Sequence, residues 1–227
     1  MQTAYSHRQP LSLMLGVLIF AAALTPTAVM IIRGYEVSLA TTVIPRSQVP
    51  VAALLIHGVP ATLFLILGAW QILRLPLAPL ARHQHRQLGL VLWLLSMFGA
   101  LSGLYLPLRW PDVSGSILYY GRLIAGSFWV VALILALHAL ALRDYRNHGR
   151  WILATYGLAL TAGTLPFLMT PVMLVLLLFG GSSLMIEETL QVLAWPLNIW
   201  LILTLTRRAR RRPKPSMQKG HPVGWPF

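Results

Sequence analysis

The chain of 227 residues contains no cysteine. That excludes a disulfide framework, a thiolate metal centre and a redox switch through sulfur. Charge is scarce as well. Only 10% of the residues are charged, where a soluble domain carries about 25%. Acidic residues are the scarcest: five Asp and Glu stand against 18 Lys and Arg, and all but two of those 18 are arginine. No nucleotide-binding glycine loop, no Ser/His/Asp pattern and no carboxylate pair at membrane depth is present. A hydrolase or an ion pump is therefore disfavoured.

What is abundant is apolar surface, at 57% hydrophobic residues. So much of it needs a solvent other than water, and the runs are long enough to cross a bilayer, for which about 20 residues suffice. The spacing predicts an all-α integral membrane bundle of six transmembrane helices. Its single membrane domain runs over 11–206, with spans near 11–32, 50–75, 88–108, 116–142, 151–170 and 189–205. Residues 1–10 form a short tail. Residues 171–188, broken by Pro171 and the Gly180-Gly181 pair, read as an outer-face segment, and 207–227 as a basic disordered tail. The run Leu11–Ile32 has no clear small-x-small site after it, so it reads as a retained anchor and not a cleaved signal.

The basic residues sit in short loops between these runs. That pattern is the positive-inside signature and not a nucleic-acid footprint. With six spans, Arg8, Arg74, Arg82, Arg86, Arg143, Arg146, Arg150 and the arginine tail fall on one side, and Arg33, Arg46 and Arg109 on the other. A seventh span would place the tail on the wrong side. Both termini are therefore expected in the cytoplasm, in a bacterial inner membrane.

Polar side chains at membrane depth are costly and usually face protein. His57, Ala61, Phe64, Gly68 and Gln71 recur at steps of three and four and share one helix face. Glu187, Gln191, Trp195 and Asn198 do the same, so Gln71, Glu187, Gln191 and Asn198 are expected as a polar stripe facing the bundle centre. Arg122 stands near the outer end of its helix. It either snorkels, pairs with Glu187 or Glu188, or grips an anionic or quinone-like head group near His57. At the basic face His85 and His148 each open a helix. They are read either as part of a lipid-anchoring surface with Arg82, Arg86, Arg150 and Trp151, which would favour anionic lipids, or as convergent axial imidazoles for a b-type haem.

Ordered short motifs run through the same region: His57 with Gly68-Ala69-Trp70-Gln71, His85-Arg86-Gln87-Leu88-Gly89, Gly121-Arg122-Leu123, His148-Gly149-Arg150-Trp151, and Trp195-Pro196-Leu197-Asn198. From about Ile56 to Arg207 the chain resembles a family of uncharacterised bacterial multi-pass predicted membrane proteins, a domain-of-unknown-function family. The chain departs from its pattern in two places. Ile152, Leu153 and Ala154 stand where the family usually has Met-Ile-Arg, and Leu165 replaces a common Gln. The resemblance implies six helices and an inner-membrane location, and no activity.

Two function classes follow. The favoured one is a non-catalytic accessory subunit or assembly factor of a larger membrane complex. The alternative is a redox protein holding b-type haem or quinone among His57, His85, His148 and Arg122. A small transporter is a further alternative, with only Pro196 to suggest the broken helix it would need. No metal site beyond haem and no nucleic-acid partner is expected.

Overall fold

The computed structural model describes residues 49–74, 82–111, 115–178 and 184–211. The expected first span, residues 1–10 and 212–227 and both termini lie outside them, whereas 207–211, expected as the start of a disordered tail, continue the last helix. The described residues form five helices and no strand: α1 Val51–Arg74, α2 Arg82–Arg109, α3 Ser116–Ala141, α4 Tyr145–Leu178 and α5 Leu184–Arg211. Helix is what such segments must become, because a chain in lipid has to satisfy its backbone N–H and C=O groups internally. Four stretches are long and apolar enough to cross a membrane: Ala52–Ile72, His83–Arg109, Ser116–Ala141 and Met185–Thr206. The bent pair Tyr145–Leu165 and Phe167–Leu176 makes a fifth if it counts as one span. The bend of 46° falls at Pro166, which has no N–H for the preceding turn.

Successive helices run antiparallel. α3 is the most enclosed, packing against α2, α4 and α5, while α1 lies on α2 and touches α4. Small residues set the close approaches. Ala61 meets Gly99 where α1 crosses α2, and Gly157 faces the Asn198 carbonyl and Ile199 Cα where α4 crosses α5. The interior is filled by Phe64, Leu65, Trp129, Leu133 and Tyr156. Leucines, isoleucines and aromatics cover the outside, among them Leu90, Ile124, Val131 and Trp200. An apolar exterior of this extent belongs in hydrocarbon.

The helices overrun the expected spans at their starts: α2 begins at Arg82 and α4 at Tyr145. The basic stretch 143–150 is thus mostly helix, and the link between α3 and α4 is only Leu142, Arg143 and Asp144. α3 ends with Arg143 N–H donating to the Leu140 carbonyl and Asp144 N–H to the Ala139 carbonyl. This double bond across the last turn requires a left-handed residue, and Arg143 takes it at φ 58°. Asp144 then caps α4, accepting from Asn147 N–H at 3.0 Å and from the Asn147 amide at 2.6 Å. One residue ends a helix and begins the next, so no room is left for a loop. Residues 171–178 continue α4, and 184–188 open α5.

Candidate functional site

The antiparallel order gives the bundle two ends. One collects Arg74, Arg82, Arg86, Arg143, Arg146 and Arg150, and holds His85 and His148. The other holds Arg109, Glu187 and Glu188, with His57 and Arg122 leaning toward it.

At the basic end, His85 and His148 each stand in the first turn of their helix. His85 is exposed and His148 half-buried. The two imidazoles are close enough for a charge on one to act on the other. His148 Nδ1 lies 2.9 Å from the Ala136 carbonyl on α3. A carbonyl only accepts, so Nδ1 carries the hydrogen and the neutral ring keeps its lone pair on Nε2. This is the arrangement in which an imidazole is presented to a metal, its second nitrogen tied to a carbonyl. Around the pair, Arg86 and Arg150 are exposed and Trp151 is half-buried. Arg150 donates to the Asn147 side-chain Oδ1 at 3.3 Å. Arg82 is the first residue of α2.

At the other end the centre is Glu188. Its carboxylate, 4% exposed, accepts from the N–H groups of Gly115 and Leu118. Gly115 is the N-cap of α3 and supplies no cap of its own. A carboxylate from α5 therefore does the capping, favoured by the partial positive charge of the helix start. Only glycine fits there, because a Cβ at 115 would collide with the carboxylate. Arg122, two turns into α3, interacts electrostatically with both Glu188 and His57.

His57 packs flat on α2. Its Nδ1 is 3.0 Å from the Gly99 carbonyl and 3.2 Å from Ser102 Oγ. A Cβ at Gly103 would stand 2.9 Å from the ring. The Gly99 bond again puts the hydrogen on Nδ1 and the lone pair on Nε2. Gly99 is 14 residues beyond His85 on the same helix, about 21 Å along it. His57 is thus not brought together with the basic-end histidines.

Between the two ends, polar groups join helices. Asn198 donates to Thr164 Oγ1 at 2.9 Å, Thr161 Oγ1 at 3.2 Å and the Ala194 carbonyl at 2.9 Å. Trp129 donates to Ser96 at 2.8 Å, Trp93 to the Leu133 carbonyl at 3.2 Å and Tyr156 to the Leu65 carbonyl at 2.9 Å. Gln191 and Glu187 are only half-buried, whereas the neighbouring Glu188 is buried. Gln71 approaches Gly89 of α2, and its Oε1 is a buried acceptor without a partner among the described residues. No group of three or more His, Asp or Glu placed to hold a metal ion occurs among the described residues.

Sequence reasoning passed over Tyr156, Ser96, Ser102, Thr161 and Thr164, and named Glu188 only as a possible partner of Arg122. Hydroxyls in helices carry no periodic signal of their own. Each acquires its role from the helix it faces.

A family model described as predicted membrane protein (DUF2306) matches residues 54–205. No curated protein and no solved structure matches the chain.

Proposed function

This chain belongs to that family of predicted membrane proteins, and on that premise we propose that it is a membrane-embedded redox protein in which His85 and His148 would hold a b-type haem. The supporting observation is the His85–His148 pair itself. Imidazoles from two helices stand at the same end of the bundle within electrostatic range of each other, and the Ala136 carbonyl engages Nδ1 of His148, which leaves its Nε2 free to ligate. Helix packing alone does not require such a pair. A haem held there would supply one-electron transfer within the membrane. The protein's own part is to set the tautomer and angle of His148 through α3, and to bring His85 opposite it through α2. Arg86 and Arg150 stand beside the pair, where they complement the carboxylates of a porphyrin or the phosphates of anionic lipids. The test is a reduced-minus-oxidised spectrum of the protein purified from cells supplied with haem precursors. Soret and α bands that disappear in both His85→Ala and His148→Ala, while each variant still elutes as a folded monodisperse species, are the expected result. A wild-type protein that stays colourless and takes up no added haemin sinks the proposal.

The second reading is the accessory subunit or assembly factor. It is favoured by a different observation: His57, Asn198, Trp129 and Tyr156 all engage a neighbouring helix, which is how a bundle holds itself together. A colourless protein that elutes with a larger membrane complex is its expected signature. For both readings we infer a bacterial inner membrane with the arginine-rich end in the cytoplasm. Protease protection of a carboxyl-terminal tag in sealed vesicles decides the orientation.

A further inference from the structure

The capping of α3 by Glu188 joins two helices through a single ionisable group. α5 contains Pro196, which cannot donate a backbone bond to the Val192 carbonyl and so weakens the helix at that turn. Beyond the proline, Asn198 fixes α5 to α4 through Thr161 and Thr164. Before it, the arm from Leu184 to Trp195 is held to α3 by the Glu188 carboxylate and by Val192 and Trp195 seated over Gly121. Asn198 is thus a fixed point, Pro196 a weak turn, and Glu188 the far end of a lever.

We propose that Glu188 is a proton-operated latch. Ionised, it closes the α5 arm onto the start of α3; protonated, it releases the arm, which pivots at Pro196. Two effects act together. The N–H groups of Gly115 and Leu118 lose a charged acceptor, and a neutral carboxyl is a much weaker one. The attraction between Arg122 and the Glu188 carboxylate is lost at the same time. Among the described residues the ionisable groups near Glu188 are few. α3 contributes Arg122, α5 the adjacent Glu187, and α1 acts through His57 on Arg122. The stretch of α4 from Thr161 to Leu178 has no ionisable residue. The latch stands whether or not the basic end holds a haem.

The absence of cysteine makes the test clean, because introduced cysteines are the only sites a thiol-specific spin label can modify. Ile124 on α3 and Met185 on the α5 arm are both exposed. The pair Ile124→Cys and Met185→Cys, labelled in the full-length protein in liposomes, reports the separation of the two helices. The pH is lowered stepwise from neutral for as long as the protein stays folded. The latch predicts that the distance lengthens as pH falls. Glu188→Gln should show the longer distance at every pH, and Glu187→Gln should behave like the parent. Pro196→Ala should reduce the amplitude without abolishing the response. A distance that does not move with pH overturns the proposal, as does a Glu188→Gln protein that still responds. Should Glu188→Gln fail to fold, the parent decides alone with Glu188→Asp, whose shorter carboxylate must shift the midpoint.

Discussion

The ring of Tyr156 occupies the place a side chain at position 68 would take. A Cβ on Gly68 would stand 2.8 Å from Tyr156 Cε2, and the same tyrosine donates its hydroxyl to the Leu65 carbonyl at 2.9 Å. Phe64 meets the ring edge-on at 5.8 Å between centroids. α1 and α4 are thus joined at one residue by fit and by a hydrogen bond together.

The two parts of this contact separate by mutation. Tyr156→Phe removes only the hydrogen bond, and the Leu65 carbonyl keeps its place in the helix. The expected loss is about 0.6 kcal/mol, typical of such bonds between membrane helices. Gly68→Ala forces the ring out of a packed site, with an expected cost of about 1–3 kcal/mol. In a Tyr156→Ala background the same substitution should cost almost nothing. Unfolding in mixed micelles, run as a double-mutant cycle, checks both values.

The face containing His57, Ala61, Phe64, Gly68 and Gln71 was legible because steps of three and four return to one side of a helix. Why position 68 must be glycine was not, since the reason is a tyrosine 88 residues away. Likewise Glu187 was favoured by its four-residue step to Gln191, yet Glu188 is the residue that enters the bundle. Its destination, two unpaired N–H groups at the start of α3, is a property of another helix. The basic stretch 143–150 reads as a loop if charge alone is weighed. It is helical because Asp144 caps α4, its carboxylate accepting from both the backbone and the side chain of Asn147. That His85 and His148 share one end followed from the alternation of spans; that the Ala136 carbonyl of α3 engages His148 Nδ1 did not.

Asn198 is the strongest candidate for a clamp between α4 and α5. Its amide has two hydrogens and lies within bonding distance of two threonine hydroxyls and a carbonyl. Asn198→Leu should cost about 1–2 kcal/mol, the upper range for polar contacts in membranes. Thr164→Val should cost less, because Thr161 remains as an acceptor. Replacing Thr161 and Thr164 together with valine should approach the Asn198 value. Equal losses for the single and the double threonine variants would show that only one hydroxyl matters.

Arg143 holds a left-handed conformation at φ 58°, which disfavours side chains with a Cβ. Arg143→Gly should therefore stabilise the protein by up to about 1 kcal/mol, with Arg143→Asn intermediate. Arg143 is exposed at the basic end and is not one of the groups proposed to hold haem, so haem spectra and elution volume should not change. A destabilised glycine variant would mean that the charge of Arg143 contributes more than its backbone strain costs. Thermal melts in two salt concentrations separate these contributions, because a surface charge effect is screened and strain is not.

Asp144 makes the same turn sensitive to pH. The N–H of Asn147 holds its carboxyl below the ordinary aspartate range, helped by the Asn147 side chain and by Arg146. A carboxyl lowered in the folded state contributes stability above its unfolded value, about 3.9, and loses it as the pH falls through the folded value. The group is fully exposed, so the effect is confined to that acidic window and is small. Asp144→Ala should melt below the parent at neutral pH, and the gap should narrow once the pH drops beneath about 4. Asp144→Asn keeps a good N-cap and should lie closer to the parent at neutral pH, with its own contribution unchanged across the window. Melting curves of the three proteins from neutral to acidic pH compare them directly. A gap between parent and alanine variant that persists undiminished in acid would show that Asp144 acts through its shape and not through its charge.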